Sequence, residues 1–123
     1  MEGSNDSVHV QTARAALASY STLEVEALLR PLDDTFTHKV LPSSLEMPLR
    51  NQEAFATHAA RVTSIFQNFS MVRQSIYEDS VKNTVIIHAK MIGILIELGP
   101  WENECIIFMK MSADGKKVVA LIK

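Results

Sequence analysis

The stretch Asn83–Ile96, with the sequence N-T-V-I-I-H-A-K-M-I-G-I-L-I, decides the fold of this chain. Its side chains alternate between two faces, as those of a β-strand do. One face is nearly pure hydrocarbon and comprises Val85, Ile87, Ala89, Met91 and Leu95. The other face mixes apolar with polar residues: Thr84, Ile86, His88, Lys90, Ile92 and Ile94. We therefore predict a strand whose first face packs against helices.

Three other segments in the second half of the chain also read as strands. They are Met71–Asp79, Glu102–Met111 and Lys117–Lys123. Turn-like sequences separate the strands, notably Gly99-Pro100 and the run A-D-G-K that begins at Ala113. Because short connections join antiparallel strands, the second half predicts an antiparallel meander.

The predicted strand Glu102–Met111 also has an apolar face, which contains one polar residue, Asn103. Glu104 falls on its opposite face, and His88 falls on the mixed face of the preceding strand. We interpret these two residues first as partners in an ion pair or hydrogen bond. The mixed face is too apolar for open water, so we expect a second subunit to cover it.

The first half of the chain has helical periodicity. A first helix of about four turns is predicted by an apolar stripe formed by Val10, Ala13, Leu17 and Tyr20. Ser21 and Glu24 fit a capping box for a second, shorter helix that ends near Pro31. A short strand is predicted at Thr35–Val40, and a third helix is predicted from Asn51 to about Phe69.

Helices first and a meander of strands after them define an α+β protein. These elements cannot close a barrel around their own side chains. We therefore predict a cone-shaped, strongly curved antiparallel sheet wrapped around the helices, with an apolar pocket inside. No linker divides the chain, so residues 1–123 are expected to form one domain in which residues 1–7 are disordered.

Composition argues against several classes of protein. The chain has 123 residues and a net charge of -2, without the basic stripe of a nucleic-acid binder. Its one cysteine rules out an internal disulfide framework. The N-terminus lacks the layout of a signal peptide, and the uncharged run Met91–Ile96 is far too short to span a bilayer. We expect a cytoplasmic protein.

The segment Leu41–Arg50 combines two prolines with several large apolar side chains. The prolines exclude regular structure, and the apolar side chains need burial, so we expect a loop that folds over the pocket as a lid. Glu46 lies within this loop. Burial would raise the pKa of that carboxylate and make it a usable acid, whereas in an open loop it would simply be solvated.

Three polar residues are predicted in apolar surroundings. His38 alternates with Phe36 and Val40, so it is either a pocket acid or base or a core histidine bonded to a backbone carbonyl. His58 borders the apolar stripe of the third helix and faces either the pocket or solvent. Asn103 either bonds a neighbour in the core or orients a ligand.

Most catalytic signatures are absent from the sequence. It contains no glycine-rich phosphate loop and no nucleophile elbow, and the four histidines lack the spacing of a metal site. Arg50 and Arg61 are candidates for binding an anionic group of a substrate. Trp101 follows a Gly-Pro turn and is expected at the rim of a cavity or in simple packing.

Several motifs occur together along the chain. They are H-K-V-L-P-S-S-L-E-M-P-L-R at His38–Arg50, F-A-T-H at Phe55–His58, F-Q-N-F-S at Phe66–Ser70, H-A-K-M-I-G at His88–Gly93, L-G-P-W-E-N-E at Leu98–Glu104 and D-G-K-K-V at Asp114–Val118. In these motifs the chain is similar to small fungal SnoaL-like proteins, over most of its length from Ala13 onward.

That resemblance implies the nuclear-transport-factor-2-like fold and a homodimer joined through the sheets. It also implies an isomerase, cyclase or hydrolase that uses no cofactor and no metal. Such proteins act through acid–base groups and hydrogen bonds on bulky, oxygenated intermediates of polyketide, terpenoid and meroterpenoid pathways in secondary metabolism.

Two functional hypotheses follow. In the first, the chain is an isomerase or cyclase. Its expected catalytic residues are His38, Glu46, His58, Asn103 and Glu104. Its expected substrate-binding residues are Leu41, Met47, Arg50, Phe55, Phe66 and Trp101. In the second hypothesis, the same cone carries a hydrophobic ligand or serves as a dimeric scaffold, and ionisable groups need not converge in the cavity.

The sequence departs from the family pattern in two places. Relatives continue past the last strand with a segment like E-F-V-D-S, whereas this sequence stops at Lys123, so we expect a truncated tail. The bacterial cyclases of the superfamily use an aspartate on a late strand. That aspartate has no counterpart here, which argues against a simple aldol cyclase.

Overall fold

A computed structural model describes residues 6–123 and contains one six-stranded sheet with helices packed on it. The helices are α1 (Val8–Ser19), α2 (Val25–Leu29) and α3 (Gln52–Ile65). The strands are β1 (Leu32–Lys39), β2 (Arg50–Asn51), β3 (Phe66–Asp79), β4 (Thr84–Leu95), β5 (Gly99–Met111) and β6 (Val118–Ile122). The predicted α+β class and curved sheet are confirmed.

The long strands β3, β4 and β5 form the antiparallel centre of the fold. On β4, Val85, Ile87 and Ala89 are fully buried, and β5 presents buried Ile107 and Met109 opposite them. The predicted alternation of the two strands is therefore confirmed. It divides the sheet into a concave face, which packs on the helices, and a convex face, which carries the mixed residues.

The sheet order is β2-β1-β6-β5-β4-β3, and β1 pairs with β6 in parallel. His38 on β1 lies opposite Leu121 of β6 on one side and opposite Arg50 of β2 on the other. The sequence predicted only antiparallel neighbours. This parallel pair places residues 32–39 beside residues 118–122, which are far apart in the sequence.

The predicted first helix is confirmed as α1, and Ser7 caps it by accepting a hydrogen bond from the backbone N–H of Val10 (3.1 Å). Residues 1–5 of the segment expected to be disordered lie outside the described residues. No helix among residues 6–123 is long and apolar enough to cross a membrane.

The predicted capping box at the start of α2 is wrong. Ser21 donates instead to the carbonyl of Ala18, and Leu23 adopts a left-handed conformation with φ of 55°. Glu24 is the N-cap but its side chain makes no capping bond. The chain reverses so tightly between the two helices that Ser21 is still part of the preceding 3-10 turn.

The third helix ends earlier than predicted. Asn51 caps α3 by accepting from the N–H of Ala54 (2.9 Å), and the helix stops at Ile65. Phe66 and Phe69 were expected on its apolar face, but they begin β3 and pair with Leu95 and Gly93 of β4. Their spacing of three fits a helix as well as a bulged strand, and the register of β3 does shift between residues 66 and 68.

The loop between β1 and β2 does not bury its apolar side chains. It contains a short 3-10 turn at Ser43–Leu45 and a cis peptide bond before Pro42. Leu41, Leu45 and Met47 are 42%, 58% and 43% exposed, so the expectation of buried side chains in this loop is not met. Pro42 and Pro48 exclude regular structure from this segment, and within residues 6–123 no element covers these side chains.

Candidate active site

A cavity of about 460 Å³ lies between α3 and the concave face of the sheet. Its walls are predominantly apolar and include aromatic, aliphatic and methionine side chains. The polar or ionisable residues that line it are Tyr20, His58, Thr63, Asn103 and Lys123. A volume of this size fits a polycyclic small molecule.

Three aromatic rings form one wall of the cavity. The ring centroid of Phe66 lies 4.9 Å from that of Phe69 and 5.3 Å from that of Trp101, both nearly edge-to-face. Gly93 of β4 makes this arrangement possible. A Cβ at that position would lie 2.7 Å from the carbonyl oxygen of Asn68 and 2.9 Å from the ring of Phe66.

His38 is only 1% exposed and lies beneath the cavity, against residues of its lining. Its ring centroid is 5.0 Å from Phe55 and 6.1 Å from His58, and both of those residues line the cavity. Arg50 approaches the other side of the ring, with Nη1 3.2 Å from Nδ1 of His38. The neighbouring strands β1 and β2 hold the two side chains in this register.

The Arg50 contact fixes the tautomer of His38. A guanidinium carries only hydrogen-bond donors, so Arg50 donates and Nδ1 of His38 accepts. A neutral imidazole that accepts at Nδ1 carries its proton on Nε2. Within the described residues this Nε2 has no hydrogen-bond partner although it is buried. An unpaired buried N–H is rare in proteins, and an ordered water, a bound ligand or a catalytic role each accounts for such groups.

The electrostatic surroundings keep both histidines neutral. Burial, followed by the charges of Lys123 and Arg50, lowers the pKa of His38 to about 3. Burial and the charge of Arg50 also lower the pKa of His58. At neutral pH His38 is therefore a hydrogen-bond donor through Nε2, and His58 is an uncharged imidazole able to accept a proton.

Three polar residues of the cavity, Tyr20, Thr63 and Lys123, were not identified as site residues from the sequence. Burial raises the pKa of the Tyr20 hydroxyl, which therefore stays protonated and can donate a hydrogen bond. Burial and the charge of Arg50 lower the pKa of Lys123. The sequence did contain a signal for Tyr20 and one for Lys123. Tyr20 is the last residue of the apolar stripe of α1, and Lys123 continues the concave-face alternation of β6 after Leu121.

The structure brings seven of the expected site residues together. Five of them line the cavity, namely Phe55, His58, Phe66, Trp101 and Asn103. His38 and Arg50 lie directly beneath them. Asn103 is exposed at the rim, and its side-chain oxygen accepts a hydrogen bond from the backbone N–H of Glu104 (2.9 Å).

Four expected site residues lie elsewhere. Leu41, Glu46 and Met47 are exposed in the β1–β2 loop. Glu104 lies on the convex face, where it pairs with Nε2 of His88, as the strand alternation indicated. Among residues 6–123, no three histidine, cysteine or acidic side chains are grouped as metal ligands.

No protein-family model matches the chain. A curated relative, the monooxygenase AgnL5 of Paecilomyces divaricatus, is 25% identical over 114 residues, which cover 93% of this chain and 70% of the relative. The structure of AusH from Aspergillus nidulans superposes with a TM-score of 0.88 at 22% identity and covers 94% of this chain and 81% of that one. BvnE pinacolase from Penicillium brevicompactum has a TM-score of 0.88 at 17% identity, with coverage of 94% and 83%.

Other similar structures are described as nuclear-transport-factor-2-like or as having a ketosteroid-isomerase-like fold. The chain has this fold. The resemblance to fungal SnoaL-like proteins that the sequence motifs suggested is thereby confirmed.

Proposed function

We propose that this nuclear-transport-factor-2-like cone is an isomerase or cyclase of secondary metabolism that works without a cofactor on a bulky polyketide-, terpenoid- or meroterpenoid-derived ketone. One observation carries the proposal. Beneath the lining of an apolar cavity, the buried Nε2–H of neutral His38 lacks a partner among residues 6–123, and the neutral imidazole of His58, which lines the cavity, has its ring centroid 6.1 Å away.

In the reaction that this geometry favours, the substrate carbonyl oxygen accepts a hydrogen bond from Nε2 of His38. His58 then removes a proton from the carbon next to that carbonyl, and negative charge develops on the oxygen. Returning the proton to the γ-carbon of a conjugated enolate moves the double bond. Alternatively, the enolate carbon attacks a conjugated alkene of the same molecule and closes a ring, the π bond of that alkene breaks, and the new enolate takes the proton back from His58. Each outcome leaves the mass of the substrate unchanged.

The apolar walls have a second role in this mechanism. They exclude water, which strengthens the hydrogen bond to the developing oxyanion. They also hold a flexible intermediate in one conformation, and such positioning contributes as much to rate as proton transfer does. Tyr20 and Asn103 lie in the same walls and are suited to orient further oxygens of the substrate.

The test is incubation of the purified protein with polyketide, terpenoid and meroterpenoid ketones, chosen from the product of a synthase if one is encoded beside its gene, followed by liquid chromatography and mass spectrometry. We expect a product of unchanged mass and a new retention time, with one deuterium gained when the reaction is run in D₂O. A product heavier by one oxygen atom would instead support the activity for which the curated relative is named.

A hydrophobic carrier is the second candidate, and the predominantly apolar walls favour it. In that case the intermediates would bind but would not be converted to a product, and His38→Gln would leave their affinity unchanged. An isomerase requires turnover, so the same incubation separates the two functions.

We also propose that two copies pair through the convex face. This face exposes large apolar side chains at Tyr77 (62%), Ile106 (54%) and Phe108 (38%), and a contiguous exposed apolar patch is typical of an interaction site. Sedimentation of the wild type should give a dimer, and Ile106→Lys should give a folded monomer. A monomeric wild type at micromolar concentration would contradict this.

A further inference from the structure

Tyr20 is a polar residue of the cavity that takes no part in the proton transfers of the proposed mechanism. It directly follows α1, its side chain is half-buried, and it belongs to the cavity lining. Its ring packs near Phe69 of the aromatic wall, with 6.4 Å between the two ring centroids. None of residues 6–123 forms a hydrogen bond with its hydroxyl.

Two other polar residues of the lining already have partners within the chain. The hydroxyl of Thr63 donates to the carbonyl of Ala60 (3.2 Å), and the side-chain oxygen of Asn103 accepts from the N–H of Glu104. Burial, and after it the neighbouring Cys105, raises the pKa of the Tyr20 hydroxyl, which therefore keeps its proton at neutral pH. Tyr20 thus offers a neutral hydrogen-bond donor to a molecule in the cavity.

A ligand made only of hydrocarbon would leave this hydroxyl unsatisfied. Filling the cavity expels water, and a polar group that is removed from water without a new partner costs free energy. A ligand oxygen beside the hydroxyl removes that cost. A site built to hydrogen-bond an oxygen of its ligand therefore rejects the analogue that lacks it.

Tyr20 and the two imidazoles belong to different sides of the cavity. Tyr20 packs near Phe69 of β3, the edge strand of the sheet, whereas His38 lies on β1 and His58 packs near His38. Three strands separate β1 from β3, which amounts to about 19 Å along the sheet at about 4.8 Å per strand. Hydrogen bonds from such separate places call for two oxygens on different parts of the ligand.

We infer that the substrate carries a second oxygen, separate from the carbonyl that reacts, and that Tyr20 donates a hydrogen bond to it. This inference rests on the proposed function, because it names a feature of the substrate of the same cavity. The second contact fixes how an otherwise apolar molecule lies in the cavity, and so it decides which carbon faces His58. Tyr20 is therefore a residue that determines specificity.

The test uses trans-decalin-1,5-dione and trans-1-decalone as probes. Both have the same two-ring skeleton, and the dione carries a second carbonyl where the decalone has a methylene group. Neither has an aromatic chromophore, so binding is followed by the fluorescence of Trp101, the single tryptophan of the chain and part of the cavity lining. The quantity compared is the dissociation constant of the decalone divided by that of the dione.

Tyr20→Phe removes one oxygen atom from the cavity wall. It should reduce this ratio about 3–10-fold, the effect of one neutral hydrogen bond, while the affinity for the decalone stays within about twofold or rises. Tyr77→Phe is the matched control, because Tyr77 is the other tyrosine of the chain and is 62% exposed on the convex face. This control should leave the ratio unchanged. Circular dichroism of both variants shows whether the fold is retained.

An unchanged ratio in Tyr20→Phe would overturn the inference, because the second carbonyl would then be held elsewhere or the hydroxyl would keep a bound water. Equal weakening of both probes would also overturn it, since Tyr20 would then hold the first carbonyl. An equal fall of the ratio in Tyr77→Phe, or a wild type that does not bind the dione, would overturn it as well.

Turnover separates this inference from the proposed function. If the protein converts a ketone, Tyr20→Phe should raise KM about 3–10-fold and leave kcat within about threefold, because the contact is with an oxygen that does not react. A large fall in kcat at unchanged KM would place Tyr20 in the reaction and contradict the inference, although the isomerase would stand. A reduced ratio in a protein that converts no ketone would keep the Tyr20 contact and remove the isomerase.

Discussion

His38 and His88 lie on strands of one sheet but on its opposite faces. His38 is 1% exposed, and its hydrogen-bond partner among residues 6–123 is the cationic side chain of Arg50. His88 has a side chain that is 38% exposed, and it pairs with the carboxylate of Glu104. Within residues 6–123, the buried histidine of the concave face therefore contacts a cation in apolar surroundings, whereas the histidine of the convex face pairs with an acid at the surface.

This difference shows where the chain carries function. A surface pair such as His88 and Glu104 satisfies both partners and adds little free energy. A buried imidazole with a free N–H costs stability that nothing in the described fold returns. Residues kept in that state are candidates for ligand binding and catalysis, and here they surround one cavity.

The largest effect is expected for turnover. Replacement of His38 by Gln removes the imidazole that would hold the substrate oxygen, so kcat/KM for the mass-neutral conversion should fall about 10²–10⁴-fold. The matched variant His88→Gln, on the convex face, should stay within about threefold of the wild type. Equal losses in the two variants would refute the distinction between the faces.

The next effect concerns the aromatic wall. Gly93→Ala places a methyl group 2.7 Å from a backbone oxygen, which must move, so the free energy of unfolding should fall by about 1–3 kcal/mol. Lys90→Ala on the convex face of the same strand should cost less than about 0.5 kcal/mol. Urea denaturation followed by the fluorescence of Trp101 measures both. An unchanged midpoint for Gly93→Ala would mean that the wall is loosely packed.

A smaller effect is expected from pH. His38 has a pKa near 3 in the folded chain against 6.5 ordinarily, so below pH 6.5 the unfolded chain binds a proton that the folded chain does not. This contribution to stability is complete above pH 6.5 and is lost as the pH falls towards 3. At pH 5.5 the loss is about 1.4 kcal/mol.

The measurement is urea denaturation of the wild type and His38→Gln at pH 8 and pH 5.5. The decrease in the free energy of unfolding between the two pH values should be about 1.4 kcal/mol smaller in the variant. Parallel decreases in the two proteins would show that His38 titrates as an ordinary histidine.

The smallest effect is expected on the convex face. Glu104→Gln breaks an exposed pair and should change the free energy of unfolding by less than about 1 kcal/mol. A loss above about 2 kcal/mol would mean that the convex face also depends on a buried charge pair, and the contrast between the faces would not hold.

The sequence predicted the sheet faces well because strand alternation is a local property. The assignment of Val85, Ile87 and Ala89 to one face needed only their order in the chain, and it also placed Asn103 and His88 on opposite faces. The position of His38 beside Phe36 likewise predicted its burial.

Contacts between distant segments could not be predicted in the same way. The charge of Lys123 lowers the pKa of His38 because β1 and β6 pair in parallel, and no local pattern encodes that pairing. Phe66 and Phe69 lie three residues apart, a spacing that fits a helix or a bulged strand. Their pairing with β4, which the sequence does not show, makes them part of a strand. The apolar residues near Met47 were predicted to be buried because they are hydrophobic, but they are exposed in the structure. Composition does not show whether another element covers a loop.

The most direct test of the central claim is a ¹⁵N NMR titration of the imidazole of His38, assigned by comparison with His38→Gln. The account predicts a neutral ring protonated at Nε2 from pH 8 down to about pH 4. A ring that titrates near pH 6.5, or that carries its proton on Nδ1, would contradict it.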